Sequence, residues 1–398
     1  MPKKRAYQAR SKLVIVSLLL SMLLLGVFPL DVILPSFPAL SVHFQSSAQD
    51  IALTLSLFAV GVALSQLVIG PLSDRLGRKR LLIVGLLISI IAAWGCTLTT
   101  SFEAFITLRI IQAIGCGCFV LTHALVQDMF DEGERVKVRI LMTSASGLFI
   151  SLSPLAGSYL QAWFDWQGSF YLFSLLALGV LGVSLRCIPR DVTASGRPLS
   201  FFNAYKQLLT NSRFIGYSSL AAIAFASHFA FIVMSPILFL DILQATPHAF
   251  AMALLFYGVA YLAGGSVAAA LHHRLPHNFL LLAGLGMIGV AGLSIVLMPE
   301  QWFLSFAGIL IPMTLCTFGI TTVRPVATCR AIELYPTSAG ATSAMLNTLV
   351  FITGGLVSAL VSRYPAHIGV SLGSAFIGLS LVGALVVTAL SARTKAVN

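Results

Sequence analysis

The sequence predicts an all-α integral membrane protein with twelve transmembrane helices in two pseudo-symmetric six-helix bundles. Three observations carry that prediction. Of 398 residues 58% are hydrophobic and only 9% charged, whereas a soluble chain carries about a quarter charged residues, so ionised groups cannot cover a globular surface here. Apolar runs near 20 residues recur along the chain, the length that crosses a ~30 Å hydrocarbon core. Period-2 alternation is missing from them, which excludes a membrane β-barrel.

Windows of high hydropathy bounded by charge, proline or polar clusters give the spans in order. The first six lie near 13–35, 50–72, 80–100, 103–127, 138–160 and 167–188. The second six lie near 214–236, 248–271, 278–298, 302–326, 338–361 and 369–391. The segment 189–213 between the sets is read as a cytoplasmic linker, dividing the chain into bundles at 1–188 and 214–398. Its roughly 25 residues are far fewer than the ~50 of a small domain. No GxxxxGK[ST] loop is present either, so an ATPase is excluded and any transport must be driven by a gradient.

Lysine and arginine flank the spans on one side, which fixes the orientation through the positive-inside rule. Lys3, Lys4, Arg5, Arg10 and Lys12 precede span 1; Arg75, Arg78, Lys79 and Arg80 follow span 2; Arg135, Lys137 and Arg139 follow span 4. Arg186, Arg190, Arg197, Lys206 and Arg213 lie between spans 6 and 7, with Arg274, Arg330, Arg393 and Lys395 further on. The opposite loops hold Asp50, Glu103, Asp165, Asp241 and Glu300 with Arg363. Both termini are therefore expected in the cytoplasm, and the net charge of +11 follows from topology and an anionic inner leaflet without a nucleic-acid partner. The basic start before Leu13–Leu25 is read as an uncleaved first span, because no small-x-small cleavage site ends that run. Cys116 and Cys118, two apart on a helix, face different ways, so they form neither a disulfide framework nor a CxxC metal site. His272, His273 and His277 are interrupted by Pro276 and have no adjoining carboxylate, and no metal or cofactor is expected.

A faint internal echo supports the two halves. Asp74-Arg75-Leu76 followed by Leu81-Leu82 matches His273-Arg274-Leu275 followed by Leu280-Leu281 at an offset of 199 residues, half the chain. Two repeated halves place a substrate site near the midplane between them.

Longer motifs are more specific. Gly70-Pro71-Leu72-Ser73-Asp74-Arg75-Leu76-Gly77-Arg78-Lys79 resembles the loop 2-3 signature of the major facilitator superfamily. Arg109-x-x-Gln112-x-x-Gly115 in span 4 resembles its second motif. Leu30-Asp31-x-x-Leu34-Pro35, Ser153-Pro154-x-x-Gly157 and Ala339-Gly340-x-x-Ser343-Ala344 resemble the Bcr/CflA branch of its drug:proton antiporters. Two departures stand out: Ser153 replaces a usual Gly or Ala, and Gln127-Asp128 replaces Arg-Asp. The resemblance covers the chain and implies proton-coupled export through a bacterial inner membrane.

Each motif has a physical reading. Gly70 permits close helix approach and Gly77 a tight turn, while Asp74 can accept hydrogen bonds from Arg78 or a helix N-terminus. With Arg75 and Lys79 they are read as a gating loop. Arg109 is costly inside a membrane, although snorkelling relieves part of that. Gln112, Cys116 and His123 return to its helix face, and such a polar stripe faces protein or water. Asp31 is the only carboxylate of span 1, ~27 Å along the helix axis from Leu13. A carboxyl partly removed from water there can be loaded and unloaded by a proton gradient, so Asp31 and Arg109 are assigned to proton coupling on the strength of the resemblance.

Gln112, Cys116, His228 and Arg324 are the expected substrate-cavity residues, with two readings open for the last two. His228 is either a packed histidine or a cavity group, and Arg324 either a snorkelling span-end cation or a substrate contact. Pro154 and Gly157 are expected to kink span 5. Phe225, Phe229, Phe231, Tyr257 and Tyr261 are abundant aromatics to which no substrate is assigned.

One acid against two arginines and a histidine favours a neutral, zwitterionic or anionic cargo, since a buried cationic cargo needs an acid partner. The expected function is proton-coupled export of a small amphipathic solute by a monomer, with a siderophore or carboxylate-metabolite exporter and a proton-coupled uptake symporter as alternatives. HExxH and GxSxG are absent, which disfavours an enzyme, and the tail after Leu390 is expected to be too short for a receptor's output segment.

Overall fold

The computed structural model describes residues 2–188, 201–272, 274–335, 339–364 and 367–395. The first half contains α1 (Pro2–Asp31), α2 (Phe37–Phe44), α3 (Ala48–Leu76), α4 (Arg78–Leu98), α5 (Phe102–Cys116), α6 (Leu121–Met129), α7 (Glu132–Phe164) and α8 (Gln167–Cys187). A connecting helix, α9 (Phe201–Thr210), leads to α10 (Ser212–Pro236), α11 (Pro247–His272), α12 (His277–Leu297), α13 (Glu300–Phe303), α14 (Phe306–Glu333), α15 (Ala339–Val361) and α16 (Ile368–Lys395). Among the described residues eleven stretches are long and apolar enough to cross a membrane, and α7, at 33 residues, is a further helix of spanning length.

Helix starts follow the local sequence. Ser47 and Asp50 form a reciprocal capping box on α3, and Ser101, Asn211 and Ser305 accept from backbone N–H groups at the starts of α5, α10 and α14; each satisfies donors that a helix start leaves free. The turn from α3 to α4 is a single residue, Gly77, at φ +92°, a conformation that glycine adopts without a Cβ penalty.

The halves pack alike. In the first, α4 lies against α5 and α8, and α1 against α7 and α8; in the second, α12 lies against α14 and α16, and α10 against α15 and α16. Glycines set the close crossings: a Cβ on Gly85 would sit 2.8 Å from the Gly115 carbonyl oxygen, and one on Gly284 would sit 2.9 Å from that of Gly319. Gly85 and Gly284 stand 199 residues apart, the offset of the sequence echo.

Two helix pairs make most of the contact between the halves, α3 with α15 and α7 with α11. On the first, the Ser56 and Ser358 hydroxyls are 2.8 Å apart and Thr348 donates to the Ala63 carbonyl at 3.2 Å. On the second, the Tyr159 and His248 rings meet at 6.3 Å. The 3-10 turn Leu34–Ser36 after α1 also touches α10 and α11.

Candidate functional site

Asp31 ends α1. It is 6% exposed and has no ion pair or hydrogen bond among the described residues. Its carboxylate is within electrostatic range of the Tyr257 hydroxyl, on α11 of the other half. An ionised carboxyl that is buried without a partner is costly, and proton uptake relieves that cost.

Arg109, on α5, is 1% exposed and does not form an ion pair with Asp31. It donates to Gln112 Oε1 at 2.8 Å and to the Pro29 carbonyl at 3.1 Å, two residues before the acid. Its guanidinium carbon lies 4.3 Å from the Phe58 ring centroid and 5.7 Å from that of Phe170. The arginine thus ties α5 to the end of α1, and Gln112 is occupied in holding it. Cys116 is buried at the end of α5. The buried part of the predicted polar stripe stops there: the helix passes through the 3-10 segment Gly117–Val120, and His123 beyond it is exposed.

Across the interface lies a second polar group. His228 on α10 is buried, its Nδ1 2.7 Å from the Tyr257 hydroxyl, with the rings 5.7 Å apart at 15°. The Tyr261 ring is also 5.7 Å from His228. Arg324 on α14 is half-buried and places its guanidinium 5.0 Å over the Phe225 ring, within electrostatic range of His228. It has no ion pair or hydrogen bond among the described residues.

The predicted gating residues converge at the opposite end of the first half. Arg78, at the start of α4, forms an ion pair with Asp128 of α6 at 2.6 Å, both side chains largely buried. Lys79 donates to the carbonyls of Leu185 and Ile188 at 2.7 and 2.6 Å, closing the C-terminal end of α8. A Cβ on Gly70 would lie 3.9 Å from that of Ala344 on α15. The side chains of Asp74 and Arg75 lie outside the described residues, as do His273 and residues 189–200 of the expected linker. Helix α7 runs without interruption through Pro154. What Gly157 supplies is close approach: a Cβ there would overlap the Val32 carbonyl and lie 3.2 Å from Pro35 Cδ.

Sequence reasoning did not supply the partners of these side chains. Pro29, Phe58 and Phe170 around Arg109, Tyr257 beside His228 and Asp128 beside Arg78 are all on other helices. The one available signal was Asp128, an acid at the same membrane side as the cations that follow span 2.

Comparison with known proteins adds three findings. A family model described as the Major Facilitator Superfamily matches residues 14–359. The chain is 30% identical over 293 residues to a chloramphenicol resistance protein, CraA, of Acinetobacter baumannii, covering 73% of this chain and 71% of that one. It is 26% identical over 387 residues to a multidrug resistance protein, MdtL, of Salmonella paratyphi C, covering 96% and 95%. Among solved structures, a D-xylose-proton symporter superposes with a TM-score of 0.73 at 16% identity, over 93% of this chain and 97% of that one, a likeness of fold.

Proposed function

The chain belongs to the Major Facilitator Superfamily, a family of transporters rather than enzymes, and from that premise we propose that it exports small amphipathic organic solutes, drug-like compounds among them, in exchange for protons. The observation that carries this reading is the buried carboxyl of Asp31, which has no ion pair or hydrogen bond among the described residues and lies within electrostatic range of the Tyr257 hydroxyl on the other half. The names of the resistance-protein relatives favour a drug-like cargo over a siderophore.

In this reading residues 1–188 and 214–398 rock against each other around the site between them, and access alternates on its two sides. Asp31 holds a proton while it is shut away from water. When the cavity opens, water stabilises the ionised form, the proton leaves, and the state that binds cargo is set. Arg109 acts as a positioning residue, since it grips the Pro29 carbonyl and fixes the helix end that carries Asp31. The guanidinium of Arg324 lies over the Phe225 ring with no ion pair among the described residues, and is available to a negative or strongly dipolar group on the cargo, which supports a neutral, zwitterionic or anionic solute. The protein is placed in the inner membrane of a bacterium, as a monomer with both termini cytoplasmic.

The test is proton release from detergent-solubilised protein on addition of cationic, neutral or anionic compounds. Neutral or anionic compounds are expected to release protons from the unaltered chain but not from Asp31→Asn, and Arg324→Gln is expected to weaken anionic cargo more than neutral cargo. Release by lipophilic cations alone would overturn the cargo assignment, and unchanged release from Asp31→Asn would overturn the coupling assignment.

A further inference from the structure

The two halves close their basic ends differently. In the first, Arg78 crosses from α4 to Asp128. In the second, the residue 199 positions after Arg78 is His277, and the acid near the end of α14, Glu333, is held by Arg330 of its own helix at 3.3 Å. Where the first half has an interhelical ion pair, the second has a cleft of about 520 Å³ lined by Arg213, Tyr217, His277, Asn278, Arg330 and Glu333.

Charge within that cleft does not balance. Glu333 offsets Arg330, while the guanidinium of Arg213 has no ion pair or hydrogen bond among the described residues, so a net positive charge remains with the Tyr217 hydroxyl and the His277 ring in the same walls. Depth matters as well. Arg213, His277 and Glu333 fall at the first or last residues of the spans Ser212–Ile242, His277–Leu297 and Phe306–Glu333, the level at which headgroups meet water. Immediately beyond, Phe279 and Leu282 present exposed apolar surface on α12, along which an acyl chain can lie.

We infer that this cleft binds a phosphate-bearing anion, gripped by Arg213 and Arg330, which supplies at the end of the second half the negative charge that Asp128 supplies in the first. Arginine matches phosphate oxygens with a planar fork of donors. The phosphate is carried either by a membrane lipid headgroup or by a soluble ion, and the apolar flank of α12 favours the lipid.

Native mass spectrometry of the full-length protein in detergent tests this, with dioleoyl phosphatidylglycerol and dioleoyl phosphatidylcholine as probes. The unaltered protein is expected to retain phosphatidylglycerol in preference. Arg213→Gln is expected to lower that retention about tenfold, the scale of a lost charge-assisted hydrogen bond, while Arg274→Gln, an exposed cation outside the cleft, leaves it unchanged. Should Arg213→Gln fail to fold, Arg330→Gln carries the same test from the opposite wall. Competition by millimolar inorganic phosphate, lost in the same variant, would identify the soluble ion as the source and support the site. Equal retention of both lipids without phosphate competition, equal retention by Arg213→Gln and the unaltered protein, or equal loss in Arg274→Gln would overturn it.

Discussion

The imidazole Nδ1 of His228 lies 2.7 Å from the hydroxyl of Tyr257, joining α10 to α11 with both side chains buried. A buried polar group that loses its partner costs about 1–3 kcal/mol. Tyr257→Phe keeps the ring and removes the hydroxyl, so a lower thermal midpoint is expected. His228→Phe removes the other partner, and the double variant should lose less than the sum of the two singles. Thermal unfolding of the purified variants measures this, and strict additivity would show that the pair is not coupled.

Asp31→Asn preserves shape and removes the titrating proton. Export driven by an imposed pH gradient in inverted vesicles is expected to be lost, with the amount of protein in the membrane unchanged. Cargo affinity gives the sign of the pH dependence. If proton and cargo exclude each other, affinity in the unaltered protein falls as pH falls, and in Asp31→Asn it stays flat. Proton-driven export that survives in the variant would move the coupling elsewhere.

Much of the architecture was legible because it rests on local rules. Span length and flanking cations set the helices, the 199-residue echo pointed to two halves, and the i, i+3 spacing placed Gln112 on the face of Arg109, where its amide oxygen accepts at 2.8 Å. The rest depends on contacts between helices. Nothing in the span containing His228 announces Tyr257, 29 residues on, and nothing near Arg78 requires Asp128 as its partner.

The Arg78–Asp128 ion pair, with side chains 9% and 18% exposed, joins the starting turn of α4 to the end of α6. Breaking a fully buried pair costs about 3–5 kcal/mol, and this partly hydrated one should cost less. Arg78→Gln and Asp128→Asn are each expected to lower stability and transport, and the exchange Arg78→Asp with Asp128→Arg should recover part of both. An exchange no better than the single substitutions would mean that the surroundings, rather than the ion pair, set the geometry.

Gly157 gives the sharpest steric prediction. The Val32 carbonyl, which also accepts from the Ser169 hydroxyl at 3.3 Å, occupies the space that a Cβ at 157 would need, with Pro35 Cδ 3.2 Å from it. Both obstacles are backbone or ring atoms following Asp31, so they cannot swing away as a flexible side chain would. Gly157→Ala must therefore part α7 from the end of α1, and with it the 3-10 turn Leu34–Ser36 that touches α10 and α11. The expected result is greater solvent access to Asp31 and slower transport, with the fold retained. Thiol labelling of a cysteine introduced at Ser36 would read the access, faster in Gly157→Ala than in the unaltered background. Gly179→Ala is the control, because no atom lies within 4 Å of the Cβ it would add, and its labelling rate should match the background. Equal labelling in all three would show that α7 carries the extra methyl without opening, and that the approach of Gly157 to Val32 does not close this end of the site.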